Sequence, residues 1–376
     1  MFRIVNLRNE SISQNLEIKK RLEHYLNVQK GKKLAHYLIA KKTPTNVENL
    51  NNLNIQELWD LHKKTRRIFD HLNQQIQDGR LSFSEVLTPQ ISFLDLKVHL
   101  ANIILNQCHF CERRCGIDRT KDQRGFCRLS TESVITSAFL HIGEEPPLIP
   151  SGTIFFTGCT FKCIFCQNWT ISQEWGSIDK LKEGRIIDPQ SIAQIMVDLS
   201  KNGAKNINWV GGEPTPNIHN ILKSLTYFKE NIIQLWNSNM YLSPEGLDLI
   251  LDVIDFWLPD LKFYENQFAY EMTQAQNYWE IITRNIKQAY DFGTKEMIIR
   301  HLVMPERVEK DTLPILDWCS QQTEQAFVNI MGQWRPEHKI SGNNAYQNLN
   351  RRLKGEELVR ARNYADKLGI LWREVS

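Results

Sequence analysis

The chain has 376 residues, 41% of them hydrophobic and 24% charged, with a formal net charge of +3. That length allows one large core plus an added module, and the near-neutral balance argues against a chain built around a polyanionic partner. No apolar run is long enough to span a bilayer, and the opening MFRIVNLRNE lacks the apolar stretch of a secretory signal. A cytoplasmic protein with no membrane contact is the expectation.

Residues 1–92 read as a helical region. One amphipathic segment covers about 16–40 and a second 55–77, with a linker at 79–92 that holds Gly79 and Pro89. Basic residues cluster here: Lys19, Lys20 and Arg21, then Lys30, Lys32 and Lys33, then Lys63, Lys64, Arg66 and Arg67. Acidic residues interleave with them at helical spacing. That is the pattern of a solvated helix face, and a nucleic-acid partner is not expected.

A second unit, 93–149, begins with a helix over 93–106 that sets Leu94, Val98, Ala101 and Leu105 on one face. It runs straight into Cys108-x2-Cys111-x3-Cys115-x11-Cys127. Four soft ligands within twenty residues, with Gly116 and Gly125 for tight turns, specify a closed metal site. The spacing matches neither a zinc ribbon nor a bacterial ferredoxin run, so zinc and a second, fully ligated Fe–S cluster both remain open. Arg113, Arg114 and Arg119 surround these thiols and favour their anionic form.

From 150 to 340 the pattern alternates. Strands are predicted at 153–157, 206–210, 232–236, 253–258, 297–303 and 326–331, and helices at 189–201, 218–229, 244–252, 279–292 and 311–322. A last helix is predicted at 356–368, in a tail covering 341–376. Alternation specifies a parallel sheet with covering helices. Six repeats suit a partial (β/α)6 TIM-type barrel, with an open doubly wound sheet as the structural alternative.

Barrels of this kind do their chemistry past the C-terminal ends of the strands. There the sequence places Cys159-x3-Cys163-x2-Cys166, then Gly211-Gly212-Glu213-Pro214, Asn237-Ser238-Asn239, Asp260-Leu261-Lys262 and Arg300. Any one of these is an ordinary turn, but in succession they argue for one shared site. Three thiolates would leave one iron of a cubane without a protein ligand, and an open position marks a catalytic metal. Seven of the eight cysteines fall in these two clusters, a metal-ligand pattern and not a disulfide framework. Cys319 sits mid-helix as packing. Glu144-Glu145-Pro146-Pro147 reads as a connecting loop, with an active-site lid as the alternative.

The strings GTIFFTGCTFKCIFCQNW, GEEPPLIPSG and NINWVGGEPTPN resemble the radical S-adenosylmethionine (SAM) superfamily, in its pyruvate formate-lyase activating enzyme-like branch. The resemblance covers about residues 93–338. It implies a [4Fe-4S] cluster on Cys159, Cys163 and Cys166, with SAM on the open iron. Reductive cleavage would yield a 5′-deoxyadenosyl radical that takes hydrogen from a substrate, a protein in the activase version. An electron donor such as a flavodoxin or ferredoxin is implied as well. Gly211, Gly212 and Glu213 are similar to the element that grips the methionyl amino group. Asp260 and Lys262 resemble a pair that fixes the SAM carboxylate, Arg300 is a second candidate for it, and Asn237 and Asn239 would bond the ribose. His301, facing the other way, reads as packing. About 150 residues precede the cysteine loop, unlike the short activases, and no ferredoxin-like insert follows Cys166. The competing reading is a non-catalytic Zn or Fe–S scaffold that binds nucleic acid.

Overall fold

The computed structural model describes residues 16–174 and 184–376. Its strands are β1 Ser133–His141, β2 Ser151–Phe156, β3 Arg185–Ile187, β4 Asn206–Gly211, β5 Ile233–Ser238, β6 Phe256–Pro259, β7 Ile298–Leu302 and β8 Phe327–Met331. One sheet runs β3-β1-β2-β4-β5-β6, and β7 pairs with β8. From β2 onward all pairings are parallel. Parallel bridges Trp257–Met297 and Asp260–Arg300 carry the run from β6 to β7. The six parallel strands form an open arc, the partial (β/α)6 barrel expected from the alternation. Each predicted strand overlaps an observed one.

β1 and β3 were not foreseen. β1 pairs antiparallel with β2 and extends the arc at its first edge. Only its first three residues are fully buried, and the rest alternate in and out, which blunts the hydrophobic signal.

The described helices are α1 Leu16–Arg21, α2 Glu23–Gln29, α3 His36–Lys42, α4 Ile55–Gln77, α5 Phe93–Asn106, α6 Trp169–Ser172, α7 Pro189–Lys201, α8 Ile218–Tyr227, α9 Pro244–Ile250, α10 Asn266–Thr273, α11 Tyr278–Phe292, α12 Leu313–Gln322 and α13 Gly355–Lys367. The single helix expected over 16–40 is instead three short ones. Gly31 sits at φ +67° just past α2 and ends it, as a left-handed glycine does.

Capping boxes start α4 at Asn54/Glu57 and α5 at Ser92/Asp95. α4 buries Leu58, His62, Thr65, Phe69, Leu72 and Ile76, one face at helical spacing. α5 is buried almost all round, as a helix sandwiched between α4 and the barrel helix α8 must be. Residues from α1 to α5 share one hydrophobic cluster with the barrel strands. These N-terminal helices therefore brace the barrel from outside and hold still the strands that carry the site.

Candidate active site

One cavity of about 570 Å³ opens at the C-terminal ends of the parallel strands. It is lined by all three loop cysteines, Cys159, Cys163 and Cys166, and by Gly211, Gly212, Glu213, Asn237, Asn239, Asp260, Lys262 and Arg300. Residues up to 141 apart in sequence thus converge because each lies at or just past the end of a neighbouring strand, Arg300 excepted, which sits mid-strand in β7.

The cysteine loop leaves β2 through Gly158 at φ +75°. A side chain on Gly158 would meet the Cys127 carbonyl oxygen at 2.7 Å, so the two cysteine loops touch at this point. Glycines 211 and 212 are required by still closer contacts. A Cβ on Gly211 would lie 2.1 Å from the Phe156 carbonyl oxygen, and one on Gly212 would lie 2.1 Å from that of Gly158. Their smallness seats the β4 turn directly against the cysteine loop.

Glu213 is buried, and its carboxylate is turned into the protein. Oε1 accepts from Thr215 Oγ1 at 2.6 Å, Ser238 Oγ at 2.6 Å and Thr215 N at 3.2 Å; Oε2 accepts from Asn239 N at 2.9 Å. Burial raises its pKa even against these bonds. Glu213 thus ties the ends of β4 and β5 together.

Asn239 is saturated as well. It donates to Thr160 Oγ1 at 2.9 Å, reaches Cys159 Sγ at 3.8 Å and accepts from Tyr241 N at 3.0 Å. Asn237 differs: its Oδ1 accepts from Arg300 at 3.2 Å, but its buried Nδ2 has no partner. Asp260 and Lys262 pair with each other at 2.7 Å inside the cavity wall. Burial pulls the Lys262 pKa down, and the Asp260 carboxylate more than reverses this.

Arg300 has an anionic partner that the sequence did not reveal. Its guanidinium forks onto Glu145 at 2.7 and 2.9 Å and also reaches Glu144. Asn329 adds a bond to Glu145 Oε1 at 2.8 Å, and Asn208 one to Glu144 at 3.1 Å. Burial alone would push the Glu144 carboxyl up, but Arg300 and His141 bring it to about 2. The 142–150 loop that joins β1 to β2 therefore carries the two carboxylates into the cavity. Glu144 and Glu145 are functional candidates on a segment that the sequence presents as a connecting loop, with an active-site lid as the alternative. The one available signal was an Arg on an apolar strand with no anion nearby in sequence.

His301 is fully buried and bonded to the Leu261 carbonyl and Thr312 Oγ1, and Cys319 is buried packing, both as expected.

Comparison with known proteins decides the family. Residues 153–319 match the family model described as the Radical SAM superfamily. The uncharacterized protein MJ0674 of Methanocaldococcus jannaschii is 42% identical over 352 residues, which is 93% of this chain and 98% of the relative. The chain belongs to the radical SAM superfamily. Among solved structures it is similar to Streptococcus suis SuiB bound to S-adenosylmethionine, with 15% identity and a TM-score of 0.39. That match covers 56% of this chain and 44% of SuiB, so it spans under half the length of that protein. It is also similar to a domain of a pyruvate-formate lyase-activating enzyme from Bacteroides vulgatus, with 12% identity, 49% and 89% coverage, and a TM-score of 0.31.

Radical SAM membership implies a [4Fe-4S] cluster with SAM, and the donor set fits both. Three thiols from one short loop line one wall, and all are free. Asn237 lines another wall, and its buried Nδ2 has no hydrogen-bond partner. The Gly211–Gly212 backbone lines the cavity between them.

The second cysteine set lies beside this site. Cys108, Cys111, Cys115 and Cys127 line one small pocket, together with Arg113, Phe126 and Thr160 among others. Arg119 reaches Cys108 Sγ at 3.9 Å, and Arg113 stacks on Phe126 at 3.8 Å and donates Nε to the Thr160 carbonyl at 2.9 Å. Arg114 turns away from the thiols, to Glu112 and Glu245. No described helix is long and apolar enough to cross a membrane.

Proposed function

We propose that Cys159, Cys163 and Cys166 hold the [4Fe-4S] cluster and that the chain binds SAM there to take a hydrogen atom from a substrate. The observation that carries this is the convergence of the three thiols and eight further residues on one cavity. A metal scaffold has no need of that convergence. When bound, the cluster and SAM supply reductive cleavage of the sulfonium. The chain's own residues position and exclude. We assign the Gly211–Gly212 backbone to the methionyl end and Lys262, now paired with Asp260, to the carboxylate. We assign the unpartnered Asn237 Nδ2 to a ribose hydroxyl. Glu213 and Asn239 hold the ends of β4 and β5, and the Glu144–Glu145–Arg300 network ties the loop before β2 to β7.

The cavity is of the size of a small-molecule site. SAM fills much of it, which leaves room for only a small reactive piece of a substrate. A polypeptide segment that inserts one residue suits this, and we propose a protein substrate, as in the activases. A flavodoxin or ferredoxin is the proposed electron source.

Anaerobic reconstitution tests the reading. The expected results are iron at the three-cysteine site, a change in the reduced EPR signal when SAM is added, and 5′-deoxyadenosine released with dithionite. Folded, iron-loaded protein that shows neither the spectral change nor the nucleoside would overturn it.

A further inference from the structure

The four-cysteine pocket is separate from the SAM cavity but in contact with it. Its loop is closed on itself: Cys108 N donates to the Ile117 carbonyl at 2.8 Å, Gly116 N to the Cys108 carbonyl at 3.0 Å and Arg114 N to the Cys111 carbonyl at 3.0 Å. Zinc at its usual bond length of about 2.3 Å holds four sulfurs about 3.8 Å apart. Among the described residues, the triad whose ligand atoms all fall within 4.8 Å of one another is His24, His36 and Asp255; no three of these four thiols meet that limit. The Cys159, Cys163 and Cys166 sulfurs do not meet it either. Neither cysteine set is therefore drawn together as closely as one tetrahedral ion would hold its ligands.

Placement adds a second argument. The Cys127 carbonyl contacts Gly158, the residue before Cys159. Thr160, the residue after Cys159, lines the four-thiol pocket itself. The Arg113 guanidinium lies 3.8 Å and the Lys162 ammonium 5.1 Å from the centre of the Phe126 ring. The Lys162 Nζ is buried with no hydrogen-bond partner. Arg113, Arg119 and Lys162 thus place positive charge beside the thiols and between the two sets, where a cluster that gains an electron becomes more negative. A structural staple would need no such path. Cys115 is exposed, so one corner of the site faces outward.

We propose that Cys108, Cys111, Cys115 and Cys127 hold a second [4Fe-4S] cluster, which accepts single electrons from an outside protein and passes them to the cluster at Cys159, Cys163 and Cys166. In each transfer a flavin or iron–sulfur protein is oxidised by one electron, and the second cluster goes from the 2+ to the 1+ state. It returns to 2+ as the first cluster is reduced. No proton or bond is exchanged. The destination of the electron rests on the function proposed above; the metal identity does not.

The test uses the full chain with Cys159, Cys163 and Cys166 all changed to Ala, reconstituted anaerobically. The expected result is a brown protein with about four irons per chain, negligible zinc and a dithionite-reduced EPR signal that SAM leaves unmoved. A colourless variant with one zinc would overturn the cluster. Loss of SAM cleavage in the unmutated protein, with iron retained in this variant, would sink the proposed function and leave the cluster standing. Relay is read separately with Cys115→Ser, at the exposed corner. Deoxyadenosine formation driven by a reduced flavodoxin should fall at least about tenfold, and more than when dithionite drives it. Equal losses with both reductants would overturn the relay.

Discussion

Two buried polar networks flank the same barrel, and they are finished to different degrees. Outside, Asp252 takes Arg66 through two bonds of 2.9 and 3.0 Å and also takes Lys97, whose ammonium reaches His62 at 3.0 Å. Asp255 is held by His24, by His36 N and by Gln234 N, and Glu296 accepts from the backbone of His24 and Tyr25. Among the described residues before Cys108, no buried side-chain nitrogen or oxygen lacks a partner. In and around the cavity, Asn237 Nδ2, Asn208 Oδ1 and Lys162 Nζ are left over. A buried orphan costs about 1–3 kcal/mol. The outer network is complete, whereas the cavity wall at Asn237 keeps a donor that the protein itself does not use.

The largest effect should come from the cavity side. Cys163→Ala removes a thiolate from the three-cysteine loop and should abolish SAM cleavage to the detection limit, while the thermal midpoint of the cluster-free protein barely moves. Deoxyadenosine release and a thermal scan measure the two. A variant that keeps cleaving SAM would break the comparison at its first term.

The outer network should behave in the opposite way. Asp252→Asn leaves Lys97, which is fully buried, without its counter-charge. Breaking a buried pair from one side costs about 3–5 kcal/mol. Urea midpoints should fall accordingly, whereas iron bound per folded chain should not change.

Glu296 sharpens the same point through pH. Burial raises its carboxyl to about 7, the bonds from Tyr25 and His24 notwithstanding. Between its unfolded pKa and about 7 the folded state binds more protons than the unfolded one, so stability falls as pH rises through that window. The contribution is fully present below about pH 4.5 and is lost by about pH 8, on the order of 3 kcal/mol. Glu296→Gln should flatten the slope of the urea midpoint between pH 5 and 8. An unchanged slope would show that Glu296 does not titrate there.

What was readable in advance follows from range. The strands of the arc announce themselves as short apolar runs, and their C-terminal ends order the site, so the chain alone pointed to eleven of the residues that line the cavity. Pairings across long separations left no local trace. Arg300 meets Glu144 and Glu145 about 155 residues away, and Lys97 and Asp252 are equally remote. β1 was hidden because only one end of it is buried on both faces. The break after α2 was carried by Gly31 alone, inside a pattern that otherwise favoured helix. Direction was also unreadable: Glu213 and Asn239 line the cavity, yet they spend their polar atoms on the protein.

That last distinction yields the smallest and most discriminating effect. Asn237 and Asn239 are two residues apart at the end of β5, and both are nearly buried. Asn237 keeps a spare donor; Asn239 has none. Asn237→Ala on the anaerobically loaded protein should cost one hydrogen bond to SAM, about 0.5–1.5 kcal/mol, or roughly two- to tenfold in Kd, with iron content intact. Asn239→Ala should instead lower iron retention, because it frees Thr160 and the Tyr241 amide beside Cys159. Equilibrium dialysis with labelled SAM and an iron assay on the same samples separate the two. If Asn237→Ala left SAM affinity untouched while Asn239→Ala reduced it with iron retained, the roles assigned from their hydrogen bonds would be reversed.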